Sequence, residues 1–94
     1  MGLSFINNST ITGTLTVSGD TTLQSNLYLG DNDYAYWGAS QDLTIGHDGS
    51  NSKIENNTGH FNIIQEANDK DITFYNDDGS GGTTTYVRVD GLQN

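Results

Sequence analysis

The feature that most constrains this chain is a short motif of one apolar residue, any middle residue and a second apolar residue, repeated along 94 residues. Leu15-Thr16-Val17, Leu27-Tyr28-Leu29, Leu43-Thr44-Ile45, Phe61-Asn62-Ile63, Ile72-Thr73-Phe74 and Val87-Arg88-Val89 all have this form. A period of two puts both apolar side chains on one face of an extended strand and the middle one on the other. The segments between are rich in Gly, Asn, Asp and Ser, which permit left-handed backbone or hydrogen-bond their own turns. Asp48-Gly49, Asp78-Gly79 and Asp90-Gly91 are hairpin-type signals. No stretch sustains apolar residues at i, i+3, i+4 and i+7, so the expected fold class is all-β with almost no helix.

Composition narrows the function classes. Hydrophobic residues make up 32% of the chain, below the roughly 45–50% apolar content, glycine included, of a typical globular domain. Small polar turn formers fill the gap: 12 Gly, 12 Thr, 11 Asn, 10 Asp and 8 Ser. That composition borders on disorder, and an isolated monomer is the form closest to it. Two features argue for folded β structure: the apolar residues are patterned, and the disorder-promoting Pro, Lys and Glu are scarce or absent. Twelve acidic residues against three basic ones give a net charge of −9. A nucleic-acid partner is not expected, because a phosphate-binding surface needs Lys and Arg to displace counterions. No apolar run approaches the roughly 20 residues of a membrane span, nor the apolar stretch of a signal peptide. The chain has no Cys, which excludes disulfides and thiolate metal sites.

The first third repeats. Ile11, Leu15 and Val17 align with Leu23, Leu27 and Leu29 at an offset of twelve, after which the spacing loosens. This is the signature of successive strands along a rod. Residues 1–30 are read as Thr-rich fibre-like repeat strands, and 31–94 as the strand and turn segments of the body. Each strand offers only two apolar residues on one face, too few to seal a sandwich. Symmetric self-association lets each stripe bury against copies of itself. The expected core of a three-chain assembly is Leu15, Val17, Leu27, Leu29, Leu43, Ile45, Phe61, Ile63, Ile72, Phe74, Val87 and Val89.

Three segments carry a family resemblance: LYLGDNDYAYWGASQDLTIGHDGSNSKIEN (27–56), ITFYNDDGSGGTTTYVRVDG (72–91) and the more generic GTLTVSGDTTLQSNL (13–27). The chain resembles tail-fibre and related appendage proteins of marine tailed bacteriophages, cyanophages especially. The resemblance implies an elongated, intertwined homotrimer, a β-prism or triple β-helix, widening into a small β-sandwich-like part towards the C-terminus. It also implies a place in the virion, outside the cell, with neighbouring fibre segments and host-surface glycan as further partners. Met1-Gly2 and Leu92-Gln93-Asn94 read as abrupt ends, so a piece of a longer chain is expected. No receptor-binding head or self-cleaving chaperone segment is legible here, and receptor specificity is not carried over.

Candidate chemistry is sparse. His47 and His60 lie beside glycines, where a turn residue with an unusual backbone angle is the plain reading; threefold symmetry around a metal is the sharper one. Asp31, Asp33, Asp77 and Asp78 offer hard oxygen ligands of the type calcium takes, but the same residues suit tight turns. Tyr34, Tyr36 and Trp37 form the densest aromatic cluster, and alternation places Tyr34 and Tyr36 on one face and Trp37 on the other. They suit glycan contact or packing between chains. Glu55 and Glu66 lie on separate segments, and neither a Gly-x-Ser-x-Gly elbow nor a phosphate loop with its Lys occurs. The sequence reading is of a structural, trimerising fibre segment with no cofactor and no enzymatic activity. Its alternatives are a glycan-binding receptor module and a monomeric β-sandwich adhesion domain.

Overall fold

The computed structural model describes residues 8–92. The terminal residues Met1-Gly2 and Gln93-Asn94, on which the excised-piece expectation leans, lie outside them. Among the described residues the chain is all-β, with five antiparallel strands in two sheets. Strands β1 (Tyr34–Trp37), β2 (Leu43–His47) and β3 (Ser52–Asn56) form a meander. Strands β4 (Ile72–Asp77) and β5 (Thr83–Val89) form a separate hairpin.

Two of the three Asp-Gly signals make their hairpins, and both use one device. In the β2–β3 loop the Asp48 carboxylate accepts the N–H groups of Ser50 (2.9 Å) and Asn51 (2.7 Å), while Asp48 N–H donates to the Asn51 carbonyl at 3.0 Å. In the β4–β5 loop Asp78 accepts from Ser80 (2.7 Å) and Gly82 (3.1 Å), and its own N–H donates to the Gly82 carbonyl at 3.1 Å. A short acidic side chain that satisfies two backbone donors pins a loop that would otherwise fray. The third signal makes no hairpin. Gly91 N–H instead donates to Asp71 Oδ1 at 2.9 Å, closing the open end of the β4–β5 hairpin.

Register fixes the faces. In the meander, Ala35, Ile45 and Ile54 are cross-strand partners, as are Trp37 and Leu43. They share one apolar face, because side chains two apart on a strand point the same way. The opposite face carries Tyr34, Tyr36, Thr44, Gly46, Lys53 and Glu55. In the hairpin, the pairs Ile72–Val89 and Phe74–Val87 form a second apolar face, and a bulge then resets the register so that Tyr75 meets Thr85.

Three of the six apolar triplets lie in strands: those at 43–45, 72–74 and 87–89. Those at 15–17, 27–29 and 61–63 do not, because a ladder needs a partner and none lies beside them among the described residues. Among the described residues, none from 8 to 29 makes a backbone–backbone hydrogen bond. This stretch instead bends at Thr12-Gly13, Ser18-Gly19 and Gln24-Ser25, one bend every six residues.

The two sheets do not touch, so the sandwich-like widening expected towards the C-terminus is not formed within one chain. A sandwich requires two inner faces packed about 10 Å apart, and here both apolar faces are open. Among the described residues Thr44, at 6% exposure, is the one buried side chain, and no hydrophobic residue is buried. The radius of gyration is 19.0 Å, against about 12 Å for a compact domain of this length. The accessible surface is 8962 Å², against about 5,300 Å² for a compact monomer of this mass.

Candidate functional site

The three-stranded meander presents a different chemistry on each face. On the apolar side, Leu29, Ala35, Trp37, Ile45 and Ile54 line an open groove of about 710 Å³. Leu29 reaches this face because the chain turns sharply between Gly30 and Asp33, with Asp33 N–H donating to the Gly30 carbonyl at 3.1 Å. Asn32 takes φ +67° at the third position of that turn, where a type II turn calls for Gly or Asn. Asn32 N–H then donates to the His47 carbonyl at 2.8 Å, fastening the turn to the end of β2.

The other face is polar and aromatic. The rings of Tyr34 and Tyr36 stand 6.1 Å apart, tilted by 32°. The Lys53 ammonium lies 6.0 Å from the Tyr34 ring centre and 3.5 Å from Glu55 Oε1. Together with Gln41 and Asn57 these side chains border a smaller polar groove of about 420 Å³. Thr44, at the centre of this face between Tyr36 and Glu55, is covered by its two cross-strand neighbours.

The expected aromatic cluster is therefore divided between the two faces. Tyr34 and Tyr36 stand together, and Trp37 belongs to the apolar groove with Ile45 and Ile54. One ligand cannot be gripped by all three from a single chain. His47 is not a turn residue as expected: it ends β2, and its Nδ1 lies 2.8 Å from Ser52 Oγ across the hairpin. The left-handed backbone angles fall on neighbouring Gly49 and on Gly59, which precedes His60. Asp31 lies towards the Gly49 turn and Asp33 towards Gly30, whereas Asp77 and Asp78 are occupied by backbone N–H groups of their own loop. Among the described residues, no three His, Cys, Asp or Glu side chains gather into a metal-holding group. Backbone N–H donation from Asn51 first, and then from Ser50, holds the exposed Asp48 carboxyl below the usual carboxylate range.

Of the twelve expected core residues, Leu43 and Ile72 are half-buried, and the other ten are open in the single chain. They fall into three places: the bent segment (Leu15, Val17, Leu27, Leu29), the two apolar sheet faces, and the unpaired connection bearing Phe61 and Ile63. Sequence reasoning missed Ile54 and the strand around it, since Ser52–Asn56 holds a single apolar residue. It also left Ile11 and Leu23 out of the core. The signal for these two was present: Ile11, Val17, Leu23 and Leu29 recur at a spacing of six. Thr21 stands in the slot that Leu15 and Leu27 occupy, and this doubled the visible repeat to twelve.

Comparison with protein-family models, curated proteins and solved structures gives no match. Among the described residues, no helix is long and apolar enough to cross a membrane.

Proposed function

We propose that this chain is a structural, trimerising segment of a phage tail fibre or spike, holding three chains in register without catalysis. The observation that carries the reading is the exposure of its hydrophobic residues. Trp37, Ile45, Ile54, Phe61, Ile63, Phe74, Val87 and Val89 all stand open, while the most buried side chain among the described residues is a threonine. A single chain thus forgoes most of the apolar burial that normally drives folding. The excess surface, about 3,700 Å² per chain over a compact monomer, exceeds the roughly 1,000–2,500 Å² that each partner gives to an obligate interface burying about 2,000–5,000 Å² in all. Threefold association and the virion setting rest on the family resemblance of segments 27–56 and 72–91. The sheet faces and the six-residue bends are compatible with both.

Absolute mass tests this reading. Light scattering coupled to size exclusion should return about 30 kDa, three copies of the 10.1 kDa chain. A mass of 10.1 kDa maintained across micromolar concentrations would end it.

One observation favours a second reading, glycan contact by the body of the fibre. Tyr34 and Tyr36 stand side by side above a groove bordered by hydrogen-bonding side chains, and such rings bring contact area at little entropic cost. A glycan array with the intact protein and with Tyr36→Ala tests it. Binding that is absent, or unchanged by the substitution, removes this reading and leaves the structural one.

A further inference from the structure

The three Asp-Gly steps, at 48–49, 78–79 and 90–91, all have the composition for a spontaneous rearrangement of the backbone. The amide nitrogen that follows an aspartate can attack the side-chain carboxyl carbon and close a five-membered imide. Glycine in second place favours the attack, because it has no Cβ to obstruct the approach. The reaction asks three things of the surrounding structure. The glycine N–H must be free, one carboxyl oxygen must be free to leave, and the oxygen that stays must be held as it gains charge.

The fold blocks two of the steps and leaves one open. Gly91 N–H is spent on Asp71 Oδ1 at 2.9 Å. Both oxygens of Asp90 are engaged as well, Oδ1 by Leu92 N–H at 2.8 Å and Oδ2 by Arg88 at 3.3 Å. Gly79 N–H is spent on Asp77 Oδ2 at 3.2 Å. Gly49 N–H, by contrast, has no hydrogen-bond partner among the described residues, and neither has Asp48 Oδ2. Asp48 Oδ1 receives two backbone N–H groups, from Ser50 at 2.9 Å and Asn51 at 2.7 Å. Paired N–H donors at that range are the arrangement that stabilises an oxyanion. Asp48 and Gly49 are both exposed, so water reaches them.

We infer that Asp48-Gly49 is a self-modification site, at which the folded β2–β3 turn converts aspartate to isoaspartate without an enzyme. Gly49 N bonds to Asp48 Cγ and gives its proton to water, while Oδ1 takes the negative charge beneath the two N–H groups. Collapse of that oxyanion expels Oδ2, which carries the acid's own proton and takes a second from solvent to leave as water. The product is a cyclic imide. Water then attacks the α-carbonyl carbon of Asp48 and breaks its bond to Gly49 N. The main chain now runs through Cγ, and the new carboxylate stands on the α-carbon. One water leaves and one enters, so the mass is unchanged. The backbone gains one methylene inside a loop that the His47–Ser52 pair closes. The side-chain acceptor that pinned Ser50 and Asn51 is gone, so the modified turn loosens.

Peptide mapping of the full chain tests the inference. Cleavage after Lys53, Lys70 and Arg88 puts each Asp-Gly step on its own peptide, 1–53, 71–88 and 89–94. The folded protein is aged at mildly acidic pH, because the Asn51 and Ser50 N–H groups hold the Asp48 carboxyl ionised near neutrality and only its protonated form releases water. His47 and Asp31 also face this turn, and both are kept unchanged throughout. Isoaspartate is located by fragment-ion mass spectrometry and counted with an isoaspartyl methyltransferase. Position 48 should lead positions 78 and 90 by roughly 2–10-fold, the rate equivalent of one net hydrogen bond on the competing amides. The same ageing in guanidinium should bring the three positions level. Asp77→Ala, which frees the Gly79 N–H, should raise isoaspartate at 78 in the folded protein. The inference falls if position 78 or 90 leads, if the folded and unfolded proteins give the same pattern, or if only the unfolded protein forms isoaspartate. An Asp77→Ala protein with position 78 unchanged would also overturn it.

Discussion

The ring of Tyr34 lies across Gly46, its cross-strand partner, in the space that a Cβ on Gly46 would occupy. The polar face of the meander is built on that contact. An aromatic ring covering a glycine in the neighbouring strand supplies the packing that the glycine lacks, and it brings Tyr34 to its place beside Tyr36 and beneath Lys53. Gly46→Val should displace the ring and destabilise the meander by about 1–3 kcal/mol, the usual cost of overpacking. A lowered melting midpoint with a changed near-ultraviolet tyrosine signal would register it. An unchanged signal would mean that the ring does not rest there.

Leu29 and Tyr28 are adjacent, but Leu29 lines the apolar groove and Tyr28 is 85% exposed. Leu29→Asp should abolish assembly, because an unpaired charge buried at a chain interface costs several kcal/mol and symmetry repeats it in every copy. Tyr28→Asp should assemble normally. Equal behaviour of the two variants in light scattering would contradict the assignment of faces.

The Asp48 loop responds to acid with a definite sign. Its folded-state pKa is lowered by the Asn51 and Ser50 N–H groups. The stabilisation is therefore present above the unfolded carboxylate value, about 3.9, and is lost as pH falls through the lower folded value. The protection of the Ser50 and Asn51 amides, taken relative to their intrinsic exchange rates at each pH, should fall at the acid end of the range. Asp48→Ala should lower it at every pH, while Asp48→Asn, which keeps an acceptor oxygen, should flatten the pH dependence.

Gly91 sits against the Lys70 carbonyl with no room for a Cβ, while its N–H donates to Asp71. The same corner holds Arg88, 3.6 Å from Asp71 and 3.3 Å from Asp90. Gly91→Ala should cost about 2 kcal/mol and remove exchange protection at its own amide. Arg88→Gln should cost less, since exposed ion pairs contribute about 0–1 kcal/mol.

Assembly also works against charge. In the proposed trimer three chains at −9 each would bring −27 together, and salt shortens the Debye length from about 30 Å at 0.01 M to about 8 Å at 0.15 M. The melting midpoint of the assembly should rise with sodium chloride. A midpoint that falls instead would mean that the acids are held in favourable pairs or by specific cations.

What the sequence determined by itself was local. The period-two triplets and the helix-free pattern made the chain all-β. Asp48-Gly49 and Asp78-Gly79 placed two hairpin loops, because an Asp that accepts its own downstream N–H groups needs nothing from elsewhere in the chain. Pairing was decided only in three dimensions. Ser52–Asn56, with one apolar residue, became a strand because the Asp48 loop returned it alongside β2, whereas Leu15-Thr16-Val17 and Phe61-Asn62-Ile63, with better patterns, did not, for want of a neighbour. Asp90-Gly91 has the composition of a hairpin turn, but its N–H found the Asp71 carboxylate beside it and it became a clasp on Asp71. The division of Tyr34 and Tyr36 from Trp37 followed from alternation alone. That Trp37 joins Leu29, Ile45 and Ile54 in one groove did not, because a strand pattern specifies which side chains share a face and not what that face meets.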